Sequence, residues 1–237
     1  MKYRVITKAD IGKADYGWLK PNYYFSFANY YNPDRMGFGK LRVLNNDWIA
    51  PSSGFSPHSH QNMEIVTIVF EGTLTHKDSL GSIGHIKNGT IQIMSAGSGI
   101  THSEYNDSDK EAVTLFQIWI EPNRHNINPR YEEKSFDTTK KNEVIPLITP
   151  DNNDFSLKIY QEVYISLINL ENSEINYNLN NSKNGLFIIP FQNNITISDI
   201  NVILEEKEAI EIIDIKEKSI NIGSDTLSSL IVIETTL

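Results

Sequence analysis

GFSPHSHQNMEIVTIVFEG, residues 54–72, decides how this chain is read. Its second half, IVTIVF (65–70), is a short apolar run rich in β-branched residues, and it stops at Glu71-Gly72. That length and composition are those of a strand. Its first half carries His58 and His60, one residue apart. Side chains along a strand alternate faces, so positions i and i+2 point the same way. Two imidazoles therefore project together wherever residues 58–60 are extended.

The same signals continue in both directions. TIQIM (90–94) follows Asn88-Gly89, a dipeptide that favours a hairpin, and VTLFQIWI (113–120) ends at Glu121-Pro122. Then come FSLKIY (155–160), VYISLINL (163–170), INYNL (175–179), LFIIP (186–190) and ITI (195–197), followed by IEIIDI (210–215), SINI (219–222) and SLIVIE (229–234). About a dozen short strands separated by turn signals predict an all-β sandwich or barrel architecture. Helical periodicity is scarce, and the alternating isoleucines of EEKEAIEI (205–212) favour strand. The polar stretch EEKSFDTTKKNEVIPLITPDNND (132–154), with two prolines, is read as the crossing between two β-domains, 1–135 and 136–237. The halves differ in chemistry. All six histidines lie at or before His125, while the second half is rich in Ile, Asn and Glu.

Composition excludes several classes. The chain has 237 residues, 39% hydrophobic and 22% charged, which is ordinary for a folded protein with a real core. Its net charge is −9 and it has no Lys/Arg-rich run, so it lacks the electrostatic footprint of a nucleic-acid binder and is unsuited to anionic membranes. With no cysteine it has neither disulfides nor thiolate metal sites. No signal-peptide stretch or membrane span is visible, and the expectation is a soluble cytoplasmic protein.

THSE (101–104) supplies a second alternate-residue pair, His102 and Glu104, after the glycine turn AGSG (96–99). If the two segments face each other inside a barrel, His58, His60, His102 and Glu104 converge. Three imidazoles and one carboxylate suit a divalent transition metal with open positions for other ligands. The plain alternative is coincidence in surface loops, since HxH and HxE each occur by chance; the pairing of the two beside strand-like sequence favours a centre. Glu64, four residues after His60, is read either as a partner that orients an imidazole or as a solvated side chain. His76, His85 and His125 are read as solvated residues. Phe55, Met63 and Phe70 lie near the motif as either pocket or core residues. The second half has no histidine with which to repeat the centre, so its domain is read as structural.

GFSPHSHQNMEIVTIVFEGTLTHKDSLG (54–81), GTIQIMSAGSGITHSEYN (89–106) and LFQIWIEP (115–122) together resemble the pirin family of the cupin superfamily. FSFANYYNPDRMGFGKLRVLNND (25–47) resembles its bacterial quercetinase-like members. The likeness is dense over about residues 15–135 and thin beyond. It implies a bicupin, two β-barrels packed together, with a metal in the N-terminal barrel. Carried over, the ligands are His58, His60, His102 and Glu104, the set that alternation selects. Iron stands first as the metal, and zinc, copper, manganese and nickel accept the same ligands. The resemblance further implies quercetin 2,3-dioxygenase activity on a flavonol and dioxygen, in which the flavonol loses its 3-hydroxyl proton and its central ring opens with release of carbon monoxide. Glu104 would serve as ligand and as general base for that proton. The resemblance also admits a non-enzymatic sensor, in which the metal's redox state alters a surface that binds a protein partner. A third reading is a small-molecule-binding cupin with a structural metal.

Overall fold

β-Branched residues fit a pleated, half-buried surface better than a helix. The computed structural model, which describes residues 1–151 and 153–237, is accordingly all-β. Its one helical element among the described residues is a single 3-10 turn, Ser198–Ile200. The chain forms two units, and each borrows a short segment from the other's stretch of sequence. The N-terminal unit comprises Ile11–Asp137 and Leu157–Gln161; the C-terminal unit comprises Met1–Asp10, Thr138–Ser156 and Glu162–Leu237.

The N-terminal unit has two sheets. In the larger, the strand order is Arg130–Ser135, Thr90–Ser95, Glu64–Glu71, Val113–Ile120, Leu41–Ile49, Leu19–Tyr23 and Gly12–Lys13. In the smaller it is Ser53–His60, Ile100–Asn106, Thr73–Asp78 and Ile83–Lys87. Their inner faces meet in layers. Leu19, Ile49, Val69, Leu74, Ile86, Val113 and Leu115 form one apolar cluster. Ile65, Met94, Ala96 and Ile100 form another, with Met63 and Trp119 packed against it. Between these layers runs a polar row set by strand register. Gln92 lies opposite Thr67, Thr67 opposite Gln117, and Gln117 opposite Asn45. All four are buried. Burying polar groups costs free energy unless they are hydrogen-bonded, so such a belt marks a place with work other than stability.

The C-terminal unit is one large sheet, in the order Lys2–Ile6, Ala209–Ile213, Gly185–Gln192, Ser219–Thr235, Val163–Asn178 and Val144–Thr149, with Ile195–Ile197 pairing both Ser219–Thr235 and Val202–Leu204. Its core is almost wholly aliphatic, built on Ile168, Leu170, Leu186, Ile188, Ile210, Ile212, Leu230 and Val232 among others.

The strand segments found in the sequence are largely present, and Val113–Ile120 matches to the residue. Three differ. Residues 163–170 and 175–178 form one 16-residue strand, because a bulge between Glu171 and Ser173, with Asn172 at φ 47°, bends the chain without ending its pairing. Residues 219–222 and 229–234 likewise join in the 17-residue strand Ser219–Thr235; its polar middle is exposed and so lacks an apolar period. Asn88-Gly89 does not close a hairpin. Gly89 makes a turn at φ 80°, but Ile83–Lys87 and Thr90–Ser95 belong to different sheets, so the chain crosses between layers there.

Candidate metal centre

The Ser53–His60 strand runs antiparallel to Ile100–Asn106, placing His58 opposite His102 and His60 opposite Ile100. Alternation then brings three imidazoles together. Ring centroids lie 4.8 Å apart for His58–His60, 4.5 Å for His58–His102 and 5.0 Å for His60–His102. Each of the three offers a nitrogen within 4.8 Å of the others. The glycine turn before His102 is required by backbone geometry. Gly97 sits at φ 47° with the Ile127 carbonyl where a β-carbon would go, and Gly99 sits at φ 138°.

Glu104 occupies a different part of the cluster. Its carboxylate joins His102 and His76 in a second triple within 4.8 Å, and a register shift separates His102 from Glu104 along the Ser53–His60 strand. Glu104 reaches into the polar belt. It accepts from Gln117 Nε2 at 2.8 Å and Gln92 Nε2 at 3.2 Å, and the Thr67 hydroxyl lies 3.3 Å away. All three donors are uncharged. Burial therefore raises the Glu104 pKa to about 7 against the opposing pull of those hydrogen bonds. Nearby Asp47 is raised to about 8, first by burial and then by Glu104.

His60 and His102 are pushed the other way. Burial, then His58, lowers His60 to about 4; burial, then the neighbouring histidines, lowers His102 to about 2. They are neutral at ordinary pH, the form that binds metal. His102 Nε2 is buried with no hydrogen-bond partner, an atom left to be satisfied by something outside the chain. The donor set fits one divalent transition metal. His58 and His60 are half-buried, and Trp119 stands edge-on to His60 at 4.8 Å, while Phe55 lies 6.3 Å from His58.

His76 corrects the sequence reading. It is 0% exposed, its Nε2 lies 3.0 Å from Asp78 Oδ2 and its Nδ1 lies 3.4 Å from His102 Nδ1. The signal was available, for THKD (75–78) holds the same i, i+2 pattern as the other two pairs. His85 and His125 are exposed. Glu64 is 1% exposed and neither solvated nor beside an imidazole; its partners are Ser95 Oγ at 2.9 Å, the Tyr160 amide at 3.4 Å and Arg130 at 3.8 Å. Its role is to tie Leu157–Gln161 into the N-terminal unit. Met63, partly buried, packs against the core cluster of Ile65, Met94, Ala96 and Ile100, and Phe70 packs edge-on against Phe116 at 4.8 Å.

Two cupin domains with an imidazole cluster inside the first define the class: a bicupin. Residues 4–120 match the family described as Pirin, and residues 147–235 match the Quercetinase C-terminal cupin domain. The chain belongs to the pirin family. It is 39% identical over 223 residues to a quercetin 2,3-dioxygenase of Escherichia coli (strain K12), covering 94% of both chains. It is 38% identical to a putative quercetin 2,3-dioxygenase of Zymomonas mobilis, covering 92% of each. Among solved structures it resembles YhhW from Escherichia coli, with a TM-score of 0.92 and 37% identity over 99% of this chain and 97% of that one. A nickel(II) complex of the same bacterial pirin matches with a TM-score of 0.91 and 36% identity, covering 99% of both.

Proposed function

We propose that this pirin is a metal-dependent oxidoreductase that cleaves flavonols such as quercetin with dioxygen, using one divalent metal on His58, His60, His102 and Glu104. The observation that carries it is the meeting of the His58, His60 and His102 imidazoles, with Nε2 of His102 buried and unpartnered. The relatives named quercetin 2,3-dioxygenase and the nickel(II) complex of the Escherichia coli pirin support it. Among the metals, nickel therefore joins iron at the head of the order to test.

A bound divalent metal would supply a Lewis acid that favours the flavonol's anion over its neutral form. The chain's own residues do the rest. Glu104 takes the 3-hydroxyl proton onto its carboxylate, and the amides of Gln92 and Gln117 hold that carboxylate in place. Trp119 and Phe55 flank the half-buried imidazoles and offer apolar faces to a planar aromatic ring.

Elemental analysis of the purified protein, followed by quercetin consumption under air with each metal restored, tests the proposal. Metal-dependent turnover is expected. Replacing Glu104 with Gln should lower kcat by about 100-fold or more, in the range of a lost general base. A protein that stays metal-free under every loading condition, or consumes no quercetin when loaded, overturns the reading. Unchanged turnover and metal content in Glu104→Gln remove that residue from the mechanism.

A further inference from the structure

The N-terminal unit aligns three alternate-residue pairs, not two. Ile100–Asn106 lies between Ser53–His60 and Thr73–Asp78, so His102 has His58 on one side and Asp78 on the other, and Glu104 has His76 beside it. His76 and Asp78 share the inner face and both have fully buried side chains. The His76 ring is stacked on Tyr131 at 4.3 Å with an interplanar angle of 17°, and the Tyr131 hydroxyl donates to Glu133 Oε2 at 3.0 Å. Gly84 lies opposite His76 in the neighbouring strand, and a β-carbon there would collide with the Tyr131 hydroxyl. This imidazole is held in its plane by everything around it.

Proton counting gives the arrangement a direction. Asp78 Oδ1 accepts the backbone amides of Leu80 at 2.9 Å and Ser82 at 3.1 Å, which fixes the carboxylate. Its Oδ2 is 3.0 Å from His76 Nε2. A carboxylate only accepts, so His76 Nε2 carries a proton, and in the neutral ring Nδ1 is bare. That bare nitrogen lies 3.4 Å from His102 Nδ1. His102 must then carry its own proton on Nδ1, leaving its Nε2 lone pair free, the buried atom that has no partner in the chain.

We propose that Asp78 and His76 form a tautomer relay that fixes the proton of His102 on Nδ1 and presents its Nε2 to the centre. His76 is thereby a positioning residue and not a ligand. The relay rests on the metal reading given above, but its proton positions belong to the metal-free chain. A carboxylate–imidazole pair behind a ligand strengthens that ligand as a base and sets its orientation.

Nitrogen NMR of histidine-labelled protein reads tautomers directly, and Zn2+ is a diamagnetic probe of the site. In the metal-free wild-type protein, His102 should be protonated on Nδ1 and His76 on Nε2; Zn2+ should shift His102 Nε2 and leave both nitrogens of His76 without a metal-bond shift. In Asp78→Asn the side-chain oxygen stays on the two backbone amides and the NH2 turns to His76, so both imidazoles should adopt the opposite tautomer. Zn2+ affinity, measured against a chelator, should fall about 10–100-fold. The relay is overturned if wild-type His102 is protonated on Nε2, if Zn2+ binds His76 directly, or if Asp78→Asn keeps both tautomers and an affinity within about twofold of wild type. Absence of Zn2+ binding by the wild-type protein would overturn the metal reading alone, since the tautomers of the metal-free chain still decide the relay.

Discussion

In the N-terminal unit the strand Val113–Ile120 turns Val113, Leu115, Gln117 and Trp119 inward; in the C-terminal unit Gly185–Gln192 contributes Leu186 and Ile188 to a core of leucines, isoleucines and valines. The same alternation thus serves two ends. One unit interrupts its apolar layers with a belt of Asn45, Thr67, Gln92 and Gln117, and leaves Asn45 Oδ1, Asp47 Oδ1 and Gln92 Oε1 without partners. The other leaves a single such atom among its described residues, Asn184 Oδ1, and surrounds its buried carboxylate with donors. Its Glu234, 0% exposed, accepts from the Tyr177 hydroxyl at 3.1 Å, from both nitrogens of Asn180 at 3.1 and 2.9 Å, from the Asn181 amide at 2.9 Å and from Asn184 Nδ2 at 2.9 Å. Glu104 has three uncharged side-chain partners and imidazole neighbours; Glu234 has a loop wrapped around it. A buried carboxylate held on all sides anchors structure, whereas one beside an unpartnered ligand atom is poised for chemistry.

Removing the imidazole that both candidate ligand triples share should break the contrast most severely. His102→Ala should lower Zn2+ or Ni2+ affinity by on the order of 100-fold or more, as chelator competition would show, because ligand loss exceeds the cost of losing an outer partner. Retained affinity would mean that the N-terminal interior is no more a metal centre than the C-terminal one. Glu234→Ala should act oppositely, with metal affinity unchanged and stability lowered by about 3 kcal/mol from unpaired buried donors. For a chain of this size that is a fall of roughly 6–12 °C in Tm, read by thermal unfolding.

A pH series sharpens the comparison within the N-terminal unit. Burial holds Glu64 at about 7 against Ser95, Arg130 and Tyr160, which pull it down. Between its ordinary value of 4.5 and about 7, the folded state therefore binds more protons than the unfolded one. Stability from this group is full below that window and is lost as pH rises through it. Glu64→Gln should flatten the decline in Tm across the window by a few degrees, at roughly 2–4 °C per kcal/mol. An identical pH profile in the variant would show that Arg130 keeps Glu64 ionised throughout. The smallest effect belongs to His85, which is exposed with its Nδ1 3.2 Å from the Thr75 hydroxyl. His85→Ala should stay within about 0.5 kcal/mol of wild type and leave metal affinity unchanged.

The pairs His58/His60 and His102/Glu104 could be found in the sequence because their logic is local: one residue between two side chains puts both on one face of a strand. His76/Asp78 obeys the same rule, but THKD follows the Glu71-Gly72 turn and resembles a polar strand end. Thr67, Gln92, Gln117 and Asn45 were hidden for another reason. Each is an ordinary residue within its own strand, and they become a belt only when four strands pair in one register. The misread turn at Asn88-Gly89 is similar, because the dipeptide specifies a reversal of the chain but not the sheet that receives it.

By itself, then, the sequence determined the all-β class, the positions of most strands, the family and two of the three inward-facing pairs, because covalent spacing sets which side chains share a face. The tertiary structure alone decided which pairs became neighbours, how Glu104 entered the polar belt, how His76 came to stand behind His102, and which short segments each unit took from the other. Those outcomes depend on cross-strand register, which the burial and hydrogen bonding of a whole sheet select, and no single stretch of chain carries that information.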